Sequence, residues 1–467
     1  MDLELHGGRL LLSFYGDDFT GATDSMEALT INGLKTVLFL EPPEPKQLAD
    51  RFPDIRAFGV AGVGRSMGPD RMKRELWPIL ACLRSFPTPI VHYKICSTFD
   101  SSPAVGSIGY AMELAAEVFP EQRCIPLLVG APALQRYTLF GHHFAASGGD
   151  VYRLDRHPVM SRHPVTPMEE SDLRAHLSKQ TKKSVGLLNI VELDGDYEEM
   201  KRRYADKMAG RPDAILFDVL DDMRLQRAGR LIWEEALDGN VRFVVGSSGV
   251  EYALAAHWRQ RGIAAAATST MTASAQLAGT GPVERLLVVS GSCSPVTETQ
   301  IRYALARGFV GIRVDAERLI EPDEAEQTVN ELRQRASRVL TEGGSPLLYT
   351  AMGAEDRSIR TIQQKLTAAG NDVFDTGRLL GETLGRLTRL IVNDNKLKRF
   401  VAAGGDTSGY VTRELGIYAI ACLSPIAPGG PLCISYSTNS DFDGLELALK
   451  GGQVGQADYF VRVRDGQ

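Results

Sequence analysis

Residues 9–24 read RLLLSFYGDDFTGATD, an apolar run that breaks at a glycine, turns through two aspartates and continues as DSMEALTING over 24–33. The run 9–16 has the length and apolar density of a buried strand, and 24–33 carries apolar residues at helical spacing. A buried strand that passes through one tight turn into a helix is the opening unit of a parallel α/β sheet. Ligands of such sheets collect at the carboxyl ends of the strands, where Asp17 and Asp18 stand. Two adjacent carboxylates there can supply a general base and polar contacts, and the start of the helix favours an anion. The competing reading is structural, with Asp18 or Thr20 capping the helix.

The alternation continues outward from this unit. KTVLFL (35–40), AFGVAGV (57–63), PIVHYKI (89–95) and CIPLLVGA (124–131) read as strands, with helices at 70–85 and 106–119. SVGLLNIV (184–191), AILFDV (214–219) and RFVVGSS (242–248) extend the set, with a helix at 227–237. Over 264–282 the residues turn small, polar and free of charge, the composition of a linker. The pattern then restarts with RLLVVSG (285–291), a helix at 297–308, VGIRV (310–314), a helix ending at Val339, PLLYTAMG (346–353), a helix at 376–394 and RFVAAGG (399–405). The expected fold class is α/β with two domains, each a largely parallel sheet flanked by helices. The expected boundaries are 1–263, a linker at 264–282, and 283–467. A chain of 467 residues is too long for one ordinary core, which supports the division.

Composition narrows the function classes. Apolar residues make up 43% and charged residues 24%, ordinary values for a soluble globular protein. The net charge of -6 argues against nucleic-acid and membrane-surface partners but leaves room for a small basic pocket. No apolar stretch reaches the length that spans a bilayer, and the acidic start MDLELHGG runs into a strand pattern rather than a secretory signal. The six cysteines form no CxxC pair and read as reduced thiols of a cytoplasmic protein. No metal site is expected. The histidine pairs His142-His143 and His157/His163 lack helical metal spacing and read as surface or pocket-lining residues.

Further candidate loops follow other strands. His92-Tyr93-Lys94-Ile95-Cys96-Ser97-Thr98-Phe99-Asp100-Ser101-Ser102-Pro103 places a lysine and several hydroxyls at a strand end. That set suits a carboxylate-bearing polyol, with Lys94 for charge and the hydroxyls for hydrogen bonds; the alternative is a serine-rich capped turn. Arg65, after strand 57–63, makes a similar offer. In the second half, Ser290-Gly291-Ser292-Cys293-Ser294, Ala351-Met352-Gly353-Ala354, Gly404-Gly405-Asp406-Thr407-Ser408-Gly409 and Lys450-Gly451-Gly452-Gln453-Val454-Gly455 are glycine-rich turns. Backbone N–H groups in such turns can approach phosphate oxygens, so several in one domain suggest a nucleotide site. There is no GxxxxGK[ST], no GxGxxG opening the first helix and no GxSxG elbow, which argues against a P-loop, a dinucleotide site and a serine hydrolase.

Taken together, these residues resemble the four-carbon acid sugar kinases. The resemblance rests on GDDFTGATD at 16–24, the Arg65 loop, YKICSTFDSSP at 93–103, SGSCS at 290–294, AAGGDTSG at 402–409, PGGP at 428–431 and KGGQVGQADYF at 450–460. It covers essentially the whole chain. It implies an N-terminal domain for a sugar acid, a C-terminal domain for ATP, an active site in the cleft between them, and phosphoryl transfer to a terminal hydroxyl. The YKxCSTFDSSP form looks more like the 3-oxo-tetronate and 3-oxo-isoapionate kinases than the threonate or erythronate kinases. Asp406 stands where the family usually has glutamate in GGETS, and KGGQVG replaces KSGNFG.

The resemblance and the loop positions assign roles. Arg65 and Lys94 meet the substrate carboxylate or nearby oxygens, Asp17 and Ser97 meet hydroxyls, and Cys96 and Asp100 line the same loop. Asp18 is the expected base, with Asp17 its substitute. Ser292, Ser294, Gly353, Gly404, Gly405, Asp406, Thr407 and Gly451 are expected to line the nucleotide. Mg2+ is expected on the phosphates, held by ATP and water. A homodimer is compatible with the sequence. Two rival classes are a haloacid-dehalogenase phosphatase, against which the adjacency of Asp17 and Asp18 counts, and a non-catalytic sugar-acid sensor.

Overall fold

A computed structural model describes residues 10–163, 165–264, 280–368 and 375–467. The chain falls into two compact units, 1–268 and 269–467. Most of the expected linker, 265–279, lies outside the described residues.

In the first unit the strands are β1 (Leu12–Gly16), β2 (Thr36–Phe39), β3 (Ala57–Ala61), β4 (Ile90–Lys94), β5 (Ile125–Leu128), β6 (Arg136–Leu139), β7 (His142–Ser147), β8 (Asp150–Arg153), β9 (Val185–Leu188), β10 (Ala214–Phe217) and β11 (Arg242–Gly246). The helices are α1 (Phe19–Ile31), α2 (Pro45–Arg51), α3 (Pro69–Ser85), α4 (Ile108–Val118), α5 (Leu173–Ser178), α6 (Tyr197–Ala209), α7 (Asp222–Glu235) and α8 (Gly249–Gln260). Strands β2-β3-β1-β4-β11-β5-β10-β9 lie side by side in that order, all parallel. Strands β1 to β5 are buried almost throughout, because helices cover both faces of a parallel sheet; this is why they read as continuous apolar runs. Phe39, Phe52, Phe58 and Phe86 meet edge to face in this core.

The order fixes where a ligand can sit. After β1 the chain builds β2 and β3 on one side and then crosses to β4 on the other. The carboxyl ends of β1, β3 and β4 therefore open on a topological switch point, the place where an open α/β sheet leaves a crevice. A separate antiparallel sheet, β6-β7-β8, rises from the same unit.

The second unit has β12 (Leu287–Ser290), β13 (Phe309–Arg313), β14 (Ser345–Tyr349), β15 (Arg399–Ala403), β16 (Ile417–Ser424), β17 (Leu432–Ser437) and β18 (Glu446–Lys450). The order is β13-β14-β12-β15-β18-β17-β16, parallel from β13 to β18 and antiparallel at β17 and β16. The expectation of a largely parallel sheet holds, with two antiparallel strands added at one side. Leu286, Val288, Ile301, Leu347, Val401 and Val463 form the core under this sheet. A second switch point falls between β14 and β15, on either side of β12.

Candidate active site

Three loops meet at the first switch point and are tied by main-chain hydrogen bonds. Asp17 N–H donates to Lys94 O at 2.9 Å, Arg65 N–H donates to Asp17 O at 2.9 Å, and Gly62 N–H donates to Gly16 O at 2.9 Å. Asp17, Asp18, Arg65 and Lys94 are thus brought together from three strand ends, with Cys96 and Asp100 close enough to act on the Arg65 charge.

The two aspartates differ in environment. Asp18 is the N-cap of α1: its Oδ1 accepts from Gly21 N–H at 2.9 Å, and its Oδ2 accepts from Arg65 Nη2 at 2.6 Å. The capping expected as the structural alternative is therefore present, and both carboxylate oxygens are engaged. Asp17 is buried, and its Oδ1 has no hydrogen-bond partner among the described residues. Burial, reinforced by the Asp18 charge, pushes its carboxyl up to about 8 against the pull of Arg65 and Lys94. Lys94 Nζ is buried, donates to Ile95 O at 3.0 Å and stands 3.7 Å from Asp24 Oδ2.

The loop after β4 is held from outside the parallel sheet. Thr98 Oγ1 donates to Asp100 Oδ1 at 2.8 Å, Cys96 Sγ lies 3.0 Å from Thr98 Oγ1, and Arg65 Nη1 is 3.7 Å from Asp100 Oδ2. Phe99 takes a left-handed backbone with φ of 60°, a conformation that non-glycine residues rarely adopt outside constrained sites. His143 on β7 reaches Ser97 O through Nε2 at 2.8 Å and Thr138 Oγ1 through Nδ1 at 3.0 Å. Burial holds His143 down to about 4, so its ring is neutral and Nε2–H donates to the carbonyl. His176 and Gln180 both contact Ser101 Oγ. Of the histidines expected on the surface or lining a pocket, His143 and His157 are not on the surface: both are buried, and His143 braces the loop. Burial keeps Cys96 a thiol, pushed up to about 12.

At the second switch point the glycine-rich turns converge. Gly404 N–H donates to Lys450 O at 2.9 Å, and Gly291 N–H donates to Ala403 O at 3.1 Å. A Cβ on Gly291 would stand 2.3 Å from Thr407 Oγ1, and one on Gly452 would stand 2.8 Å from Ser292 Oγ. Gly404 has φ of 123°, which side chains disfavour, and starts the helix Gly405–Glu414 without a side-chain cap. Its first N–H groups are thus left for an anion. Ser294 caps the helix Pro295–Leu305, and Thr297 on that helix links Ser292 Oγ, Lys450 Nζ and Gly452 O.

Lys450 ends β18 in a buried position, and burial alone draws its ammonium down to about 7. A buried lysine with no compensating carboxylate among the described residues, beside loops that a Cβ would fill, fits a phosphate ligand. Gly353, in the turn after β14, lies instead against Glu298 of the helix Pro295–Leu305, Asp406 is exposed in the first turn of its helix facing Gly377, and Gly405 opens to free space. Lys450 and Thr297 carry no role in the sequence reading. The lysine had a signal, since it directly follows an apolar strand and opens a glycine run; Thr297 had none. Among the described residues, no group of three or more His, Cys, Asp and Glu could hold a metal ion.

The comparisons define the class. Residues 12–254 match a sugar-binding N-terminal domain and residues 287–460 a nucleotide-binding C-terminal domain. The 3-oxo-isoapionate kinase of Paraburkholderia graminis is 43% identical over 458 residues, covering 98% of this chain and 95% of that protein. The 3-oxo-tetronate kinase of Pectobacterium atrosepticum is 30% identical over 454 residues, covering 97% of this chain and 98% of that protein. The chain belongs to the four-carbon acid sugar kinase family and is an ATP-dependent phosphotransferase. A crystal structure of a Salmonella typhimurium LT2 protein described as a tRNA synthase shares the fold, with a TM-score of 0.75 and 24% identity over 98% of this chain and 99% of that one. That likeness carries the fold alone. No helix among the described residues is long and apolar enough to cross a membrane.

Proposed function

We propose that the chain phosphorylates a hydroxyl of 3-oxo-isoapionate, with 3-oxo-tetronate the nearest alternative. The choice of acid is supported by the 43% identity to a kinase of that name over 98% of the chain. The chemistry is supported by one observation, the buried Asp17 with an unpartnered Oδ1 between Arg65 and Lys94. In this reading Lys94 and Arg65 receive the acid's carboxylate or its neighbouring oxygens, and Ser97, Cys96 and Asp100 line its hydroxyls. Asp17 accepts the proton of the attacking hydroxyl as that oxygen bonds to the terminal phosphorus and the bond to ADP breaks. Asp18, engaged by Gly21 and Arg65, orients the arginine; this reverses the order of the two aspartates expected from the sequence.

On the nucleotide side, Ser292, Ser294, Gly404, Gly405, Thr407 and Gly451 cradle the phosphates. Lys450 supplies charge, and Gly353 and Asp406 line the same site. Mg2+ would neutralise charge on the phosphates, with phosphate oxygens and water as its ligands. Boundaries at 1–263 and 283–467 belong to the same reading. An ADP-release assay with ATP and 3-oxo-isoapionate, 3-oxo-tetronates, threonate and erythronate tests it. The highest kcat/KM is expected for 3-oxo-isoapionate. Preference for threonate or erythronate would overturn the choice of acid, and no ADP with any of them would overturn the site.

A further inference from the structure

A fully buried ammonium needs a counter-ion, or it gives up its proton or its place. Among the described residues Lys94 has one hydrogen-bond acceptor, the carbonyl of its neighbour Ile95 at 3.0 Å. The carboxylates around it come from two elements. Asp17 and Asp18 lie in the turn after β1, and Asp24 projects from α1. The thiol of Cys96 also faces it, from the loop after β4. Asp18 is committed to Gly21 N–H and Arg65, and Asp17 is the carboxyl that burial keeps protonated. Asp24 Oδ2 is 3.7 Å from Lys94 Nζ. Of the charges that oppose the burial cost on Lys94, Asp24 is the largest.

Asp24 is itself built in. Burial pushes its carboxyl above the usual range, and Lys94 pulls it back, helped by Ser248. Glu251 on α8 and Asp18 add negative charge around it. Glu251 in turn lies 2.7 Å from the buried His92, one residue back from Tyr93 on β4. The Asp24–Lys94 pair joins the first helix to the strand that carries the substrate loop, and Glu251–His92 joins α8 to the same strand. A Cβ on Gly21 would stand 2.9 Å from Lys94 Nζ, so α1 presses against the ammonium along this face.

We propose that Asp24 is a positioning residue, the counter-ion that holds the Lys94 ammonium at the end of β4 for the carboxylate of the sugar acid. It rests on the reading that Lys94 meets that carboxylate. Asp24 touches no substrate; it acts through Lys94, and its effect disappears when Lys94 is removed.

The test is a double-mutant cycle in the full chain, reading KM for 3-oxo-isoapionate and KM for ATP separately. Asp24→Asn is expected to raise the acid KM about ten- to a hundredfold, the scale of a charge-assisted contact, with the ATP KM within about twofold. In the Lys94→Met background the same substitution should add less than about twofold. An unchanged acid KM in Asp24→Asn, or an undiminished effect in the Lys94→Met background, overturns the proposal while leaving the Lys94 reading standing. An unchanged acid KM in Lys94→Met removes the Lys94 reading itself, and the proposal falls with it. If Asp24→Asn does not fold, Asp24→Glu carries the cycle. Its displaced carboxylate is expected to raise the acid KM several-fold only where Lys94 is present, and an equal rise without Lys94 overturns the proposal.

Discussion

At the scale of the residue, burial moves the ionisation of Asp17 at one site and Lys450 at the other toward neutrality. For Asp17 the folded protein holds a proton up to about 8, whereas the unfolded chain releases it in the ordinary carboxylate range near 3.8. Stability from this group is present at low pH and is lost as pH rises through that window. Asp17→Asn should therefore melt higher than the parent above pH 8, with the gap closing toward pH 4, as read by thermal unfolding across pH. The same substitution should lower kcat by about 10²–10⁴-fold, because it removes the proton acceptor. Asp18→Asn should act mainly on the acid KM through Arg65. Near-normal kcat in Asp17→Asn, with a collapse in Asp18→Asn, would return the base role to Asp18. In the parent, kcat should climb with pH toward about 8 as Asp17 ionises. For Lys450 the direction is opposite: its ammonium is lost above about 7 in the free protein. Binding of ATP at pH 8 should take up a proton, seen as a buffer-dependent heat in calorimetry. Lys450→Met should abolish that uptake and weaken ATP about ten- to a hundredfold. The sequence brought Asp17, Asp18, Arg65 and Lys94 to attention because each follows a readable strand. It ranked Asp18 above Asp17; the proposed reversal rests on which oxygen is left unpartnered, and that depends on an arginine 47 residues away.

At the scale of the element, the strand-to-helix alternation was readable because parallel strands are covered on both faces and leave unbroken apolar runs, as in β1 and β4. The antiparallel sheet β6-β7-β8 left no such run. β7 alternates buried and half-buried residues, and β8 has no buried residue, so neither rises above a polar loop in the sequence. Yet this sheet braces the loop after β4 through His143, whose ring joins Ser97 O to Thr138. The left-handed Phe99 two residues on makes the loop costly to hold without support. His143→Ala should therefore raise the acid KM several-fold and leave the ATP KM unchanged. His143→Gln, which can still donate to the carbonyl, should recover part of the loss. Because burial keeps the ring neutral down to about 4, the pH profile of the acid KM should not change between the parent and His143→Gln above pH 5. A shift in that profile would mean that the ring carries charge in the working enzyme.

At the scale of the whole molecule, each unit places its loops at a switch point of its own sheet: β1, β3 and β4 in the first unit, and β12, β14 and β15 in the second. If the second unit binds ATP by itself, a fragment carrying it should bind ATP without any sugar acid. The starting residue matters. A boundary at 283, as expected from the sequence, removes Gly281, whose carbonyl accepts from the buried Arg399 Nη2 at 3.1 Å. Arg399 also bonds Glu446 at 2.6 Å and donates to Val463 O at 2.7 Å, so it ties the entry of the unit to β18 and to the C-terminal helix Tyr459–Asp465. Removing one acceptor from a buried guanidinium costs about 1–3 kcal/mol, enough to weaken a fragment of this size. A fragment of residues 280–467 should therefore melt higher than one of 283–467, and should bind ATP with an affinity that Lys450→Met lowers. A folded 280–467 fragment that binds no ATP would place part of the nucleotide site on residues before 280. Binding that survives Lys450→Met undiminished would instead keep the site in this unit and move its charge away from β18.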